Sequence, residues 1–254
     1  MERFTGKKLL SILLTLCIVI PLLSATGLAA GPEPADPDTP VFAGNGTEED
    51  PYVISSHADL EALSELVNNG NSFAGEHFIL AEDIHMTGEF TPIGDSFANR
   101  PFSGTFDGNF NAIYDLEVNA GPIDAGLFGY ISNATIKNLI ISGARIYGDI
   151  AGGIVGSGTG DFQIASCAVI DSDIFVDTDS GSFAGGIIGY STLGECSVSY
   201  CSVMNSNIYA DFAVGGIAGY MSDGISISNC AVTGSTIGIL SIAAFPAVLS
   251  AYLA

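Results

Sequence analysis

The chain has 254 residues, 28 Asp and Glu against six Lys and Arg, and a formal charge of −22. Three of the six bases (Arg3, Lys7, Lys8) lie in the first ten residues, leaving only Arg100, Lys137 and Arg145 beyond them. Nothing here resembles a basic patch for phosphate, so nucleic acid is disfavoured, and anionic membranes and polyanionic glycans are repelled. Divalent cations, neutral glycans and basic protein patches are the electrostatically easier partners. With 48% hydrophobic residues and 32 glycines, the composition suits an all-β repeat protein and argues against disorder.

Residues 1–30 read as a secretory signal peptide. A basic start precedes an apolar run from Leu9 to Leu23, and the small residues from Ala25 to Ala30 offer cleavage after Ala29 or Ala30. The competing reading is an uncleaved membrane anchor; the run holds Pro21 and falls short of the roughly 20 residues a span needs. Residues 31–42 form a proline-rich acidic linker.

Residues 43–90 read as an N-terminal cap. A turn through Gly46 and Pro51 feeds a strand at Tyr52–Ile54. Ser56 then offers its hydroxyl to a first helical turn, with Asp59 three residues on. Leu60, Leu63, Leu66 and Val67 make a helical stripe, and Gly70 suits its end. The helix is expected to cover the open first coil of a stacked structure. His77–Leu80 and Asp83–Met86 follow as strands.

From 91 to 238 one glycine phrase recurs. It reads Gly126-Leu127-Phe128-Gly129-Tyr130, Gly153-Ile154-Val155-Gly156, Gly186-Ile187-Ile188-Gly189-Tyr190 and Gly216-Ile217-Ala218-Gly219-Tyr220, at steps of 27, 33 and 30 residues. A period of this size marks a repeat whose units bury apolar faces only against one another. Aligned on the glycines, like residues fall into ladders. These are Ile136, Ile164, Val198, Ile227; Leu139, Cys167, Cys201, Cys230; Ile141, Val169, Val203, Val232; and Ile146, Ile174, Ile208, Ile237. Ala134, Phe162, Cys196 and Ile225 make a fifth. Within each strand these alternate with small or polar residues, the period of a half-buried strand. The predicted fold is all-β: a right-handed parallel β-helix, a solenoid with a short N-terminal capping helix, handed by the rule for parallel crossovers. The repeat glycines (Gly126, Gly129, Gly153, Gly156, Gly186, Gly189, Gly216, Gly219) are expected to turn the backbone at corners, or to let neighbouring coils approach.

At these residues the chain resembles proteins carrying GLUG-motif repeats. Gly126-Leu127-Phe128-Gly129 matches the phrase directly and its successors are Ile variants. The lead-in is similar too: Gly44 to Ile54, Thr91-Pro92-Ile93-Gly94, and Phe102 to Ile113, with Phe110-Asn111 in place of the usual Gly-His and Phe90 in place of a common Trp. The resemblance implies a secreted or cell-surface, adhesin-like module with no active site to carry over.

Four cysteines follow the leader. Laddered side chains lie parallel and do not face one another with a disulfide's torsion, so Cys167, Cys196, Cys201 and Cys230 are expected as buried thiols. Their thiol or disulfide state is not fixed by sequence. The histidines (His57, His77, His85) lack any metalloprotease or nucleophile context. Asp177 and Asp179 flank a turn with hard oxygen ligands, a calcium candidate. No bidentate Glu follows, and a solvated acidic loop is the competing reading. No other cofactor is expected. Arg145 lies in register with Asp173, the arrangement of a surface ion pair.

Two functional readings stand. The first is a noncatalytic secreted or cell-surface module for adhesion or ligand binding, meeting a host or microbial surface protein or a neutral glycan. The second is a polysaccharide lyase or glycoside hydrolase on a β-helix. A hydrolase needs two carboxylates about 5 to 9.5 Å apart, and a lyase needs a base beside acids. After Ile237 the pattern fails. Residues 239–254 are an uncharged apolar tail, read either as a truncated end or as a cap over the last coil.

Overall fold

The computed structural model describes residues 42–121, 124–176, 182–222 and 225–239. The expected leader, the linker up to 41, the calcium candidates Asp177 and Asp179, and the tail from 240 lie outside the described residues.

Period-2 alternation closes into a parallel β-solenoid. One coil runs Thr135–Lys137, Ile140–Ser142, Arg145–Gly148, Ile150–Gly152 and Val155–Thr159, one strand in each of five sheets. Among the described residues these sheets hold seven, six, five, four and four strands. Each strand of this coil pairs parallel with the coils before and after it. Ile113, Ile141, Val169, Val203 and Val232 stand at one register, as do Val118, Ile146, Ile174, Ile208 and Ile237. From the first coil to the fourth these ladder residues are buried at 1% exposure or less. In the last coil Ile227, Val232 and Ile237 are 46%, 37% and 42% exposed, because no further coil among the described residues covers them.

The other end is closed. Helix α1 (His57–Asn68) starts at Ser56, whose side chain accepts the Asp59 amide at 3.2 Å. The Asp59 carboxylate reaches back one residue further than a standard capping box, to the Ser55 amide at 2.9 Å. Asn69 ends the helix, and Gly70 follows at φ +106°. Leu60, Leu63 and Val67 are fully buried. They face a cluster in which Phe42, Tyr52, Phe73 and Phe78 meet edge-on or tilted. Phe42, read from sequence as the end of the linker, is thus the first core residue among the described residues. The Thr91-Pro92-Ile93-Gly94 step docks on the helix. Ser64 Oγ donates to Thr91 O at 2.7 Å, and Asn68 Nδ2 donates to Pro92 O at 2.9 Å while its Oδ1 accepts the Gly94 amide at 3.0 Å.

The left-handed corners fall elsewhere than on the repeat glycines. None of the eight repeat glycines has positive φ. The left-handed corner positions belong instead to Asn138, Ser166, Tyr200 and Asn229 between the first and second sheets, and to Asp115, Asp171 and Asn205, with Gly143 and Gly234, between the second and third. Asn and Asp tolerate this region better than other side chains. Where a Cys or Ser follows the corner, its side chain bonds back. Cys167 Sγ donates to Ala165 O, Cys201 to Ser199 O and Cys230 to Ser228 O, each at 3.3 Å. At the next corner Ser172 and Ser206 bond Ile170 O and Met204 O at 2.8 Å, and each hydroxyl accepts an amide of the preceding coil. All four described cysteines are free, with Cys167, Cys196 and Cys201 buried.

A correction concerns Arg145. It stands in register with Asp173 as expected, but no ion pair joins them; Asp173 accepts from Asn207 Nδ2 at 2.8 Å. The Lys and Arg ion pair that does form among the described residues is Lys137 Nζ to Asp107 at 3.2 Å.

Candidate functional site: a glycine seam on the outer face

The two glycines of each phrase have different neighbours. The first faces inward: a Cβ on Gly153 would lie 2.4 Å from Gly186 O and 2.7 Å from Val169 Cγ2, and one on Gly186 would lie 2.2 Å from Gly216 O. The second faces out, across a reflex bend between the fourth and fifth sheets. A Cβ on Gly156 would meet Ala125 N at 2.8 Å, one on Gly189 Ala151 O at 2.7 Å, and one on Gly219 Ala184 O at 2.7 Å. Each fifth-sheet strand therefore lies against the fourth-sheet strand of the preceding coil. The result is a seam running down the outside of the solenoid, and only glycine permits the approach.

Side chains flanking the seam divide into two stretches. In the first two coils it is closed. Asp124 is 6% exposed and Ser157 5%, and Ser157 Oγ donates to Asp124 Oδ2 across the seam. Burial pushes the Asp124 carboxyl up; the Ser157 and Ser96 hydroxyls oppose this, while the nearby charges of Asp95 and Asp149 reinforce it. Asp95 and Arg100 pair as a short antiparallel bridge, amide to carbonyl at 3.0 and 2.8 Å, which holds the Ser96 loop in place.

In the third and fourth coils the seam is lined by rings. Tyr130, Ser157, Tyr190 and Tyr220 share one register, each following the second glycine of its phrase. Tyr190 and Tyr220 stack with centroids 5.3 Å apart and planes 19° apart. Phe183 packs on Tyr190 at 5.0 Å and on Tyr220 at 5.4 Å. Phe212, at the corner from the third to the fourth sheet, meets Phe183 edge-on at 5.6 Å. Phe212 is 66% exposed and Tyr220 43%. Beside Phe212, the Asp211 carboxylate accepts the Ser182 amide at 3.1 Å and the Ser182 hydroxyl. A second stack, Phe175 on Tyr209 at 5.6 Å and 3°, lies on the third sheet.

The remaining candidates are dispersed. His57 pairs with Glu61 at 3.4 Å and His85 with Asp115 at 3.8 Å. Asp83 binds the Ala112 amide at 2.8 Å and does not pair with His85. Among the described residues no group of three or more His, Cys, Asp or Glu is placed to hold a metal ion, and no helix is long and apolar enough to cross a membrane. Sequence reading missed the seam. The recurring Tyr after the glycine phrase was its one local sign.

Residues 210–238 match the family described as the GLUG motif, a stretch that includes Asp211, Phe212 and Tyr220, so the resemblance drawn from the glycine phrases is met there. The chain is 37% identical over 135 residues to halomucin of Haloquadratum walsbyi, covering 48% of this chain and 1% of that protein. It is 36% identical over 134 residues to a protein of Evansella cellulosilytica described as a candidate Gly-rich membrane protein, covering 49% of this chain and 15% of that one. The chain thus spans a small part of the length of both relatives. A crystal structure described as a candidate immunoglobulin A1 protease of Bacteroides ovatus aligns over 78% of this chain and 81% of its own, at 18% identity and a TM-score of 0.35, too low to carry an argument.

Proposed function

We propose that this chain is a noncatalytic β-helical module of the extracellular or cell-surface space that binds its partner on the lateral face, where the seam opens. The observation that carries this reading is the contiguous ring cluster in which Phe212 and Tyr220 are exposed and Phe183 and Tyr190 half-buried. Aromatic surface left open on an otherwise acidic rod marks an interaction site more often than a packing residue. The likeness to halomucin and to a protein described as membrane-associated supports a surface setting.

Asp124 favours a second reading, a polysaccharide-active enzyme, because its carboxyl is raised by burial and stands near Asp95 and Asp149. Against this, its oxygen already accepts from Ser157 and the group is almost closed to solvent. Purified protein applied to whole microbial and host cells is expected to bind them saturably. It is expected to release neither reducing ends nor unsaturated uronates from a polysaccharide panel. Release that disappears in Asp124→Asn sinks the noncatalytic reading, and absence of saturable binding to any surface sinks the binding one.

A further inference from the structure

We propose that the open stretch of the seam is a site for an uncharged polysaccharide chain, with Phe212 and Tyr220 as its contact rings. The inference rests on the binding reading above and adds the class of ligand. Phe183 touches both contact rings and Tyr190 stacks on Tyr220, which fixes them, so little side-chain freedom is lost when a ligand arrives. An aromatic face carries partial negative charge, and the axial C–H bonds of a pyranose ring present a weakly positive, apolar face that complements it. Asp211, adjacent to Phe212 and bound to Ser182, offers a carboxylate to sugar hydroxyls, which are donors.

Charge decides among polymers. Among the described residues no Lys or Arg ring contact is found at the four rings, and the chain carries −22, so uronate, sulfate or phosphate groups are repelled. Size decides against a second copy. With about 150–250 Å² per aromatic side chain, the exposed fractions of Phe212 and Tyr220 leave an open aromatic area of about 160–270 Å². That falls well below the roughly 800 Å² per partner of a stable protein interface, and it suits one or two sugar rings. The register also supports a linear ligand: Tyr190 and Tyr220 are one coil apart along the axis.

Affinity electrophoresis of the full chain tests this, in native gels cast with soluble uncharged β-glucan or galactomannan, or with polygalacturonate as the anionic control. Retardation is expected in at least one uncharged polymer and not in polygalacturonate. Phe212→Ala and Tyr220→Ala, both at exposed positions and checked for an unchanged melting temperature, are expected to weaken it about three- to tenfold each. Tyr220→Phe is expected to keep it. No retardation in either uncharged polymer, with cell binding intact, overturns the ligand class and leaves the surface-binding reading standing; loss of both overturns both. Equal retardation of the wild type and the two alanine variants overturns the assignment of the rings. So does light scattering that shows a dimer which Phe212→Ala converts to monomer.

Discussion

Replacing Gly186 with Ala separates two explanations of the repeat glycines. If they served to reach left-handed corners, their cost on substitution would be conformational. The structure gives Gly186 no positive φ. Instead, its added Cβ would lie 2.2 Å from Gly216 O, 2.7 Å from Val203 Cγ2 and 3.1 Å from Ile208 Cδ1. The nearest of these is backbone at the bend between two paired strands, Ala213–Gly215 and Ala218–Met221, so no rotamer change relieves it, and two coils must separate locally. Overpacking of this kind typically costs about 1–3 kcal/mol, occasionally more. Alanine returns about 0.4–1 kcal/mol through the unfolded chain. At the upper end of that range the net loss is about 2 kcal/mol, which at about 2–4 °C per kcal/mol for a domain of this size lowers the melting temperature by about 4–8 °C. Gly121→Ala is the control. Gly121 has φ +58° and nothing within 4 Å of its Cβ, so its cost is the left-handed penalty alone, about 1 kcal/mol. Thermal unfolding followed by circular dichroism compares the two. A Gly186→Ala melting point within about 2 °C of wild type, or a Gly121→Ala loss of equal size, refutes the close-approach argument.

Further outcomes follow from buried groups. The folded Asp124 carboxyl sits above its ordinary value through burial, so its contribution to stability is fully present in acid, below the unfolded value, and is lost as pH rises through the folded one. Asp124→Asn is expected to flatten that part of the profile of urea midpoint against pH; an unchanged profile contradicts the assignment. Asp107 has the opposite sign. Burial raises it, but hydrogen bonds from the Asn138 side chain and the Asn109 amide, together with Lys137, outweigh burial and hold it below its ordinary value. Its contribution is therefore present above the unfolded value and lost on acidification, and Asp107→Asn should remove that acid-side loss. Alkylation under denaturing, non-reducing conditions should count four thiols among Cys167, Cys196, Cys201 and Cys230. In the native state Cys230, the partly exposed one, should react first. Burial raises the Cys167 thiol well above its ordinary value, so Cys167 should resist. A native count of zero, or Cys167 reacting first, is the contrary result.

The ladders were legible because a parallel coil repeats one environment at one register. Ile141, Val169 and Val203 need only their spacing to be placed inside. The capping helix was legible from Ser56 and the Leu60, Leu63, Val67 stripe for the same local reason. What spacing does not encode is how two sheets fold toward each other on the outside. By alternation Asp124 belongs on the solvent face, and so it does; the reflex bend then covers it with the next coil and Ser157. Phe183, Tyr190 and Phe212 are also outward residues, each unremarkable alone, and become one cluster only through that bend. The Arg145–Asp173 expectation failed differently. Register placed the pair side by side, but the Asn207 amide on the following coil donates to the carboxylate, and the ion pair of an exposed guanidinium is worth little.

Stacking in strict register has a consequence for growth of the rod. Each coil uses about 30 residues yet advances the axis by only one strand spacing, about 4.8 Å, whereas the same residues drawn out as a tether reach about 100 Å. Duplicating a coil is thus a poor way to project a domain outward. It is an efficient way to multiply flank area, because every copy adds one more position along the seam at the same angle and height. Long arrays of such units would gain in avidity for a polymeric ligand far faster than in length.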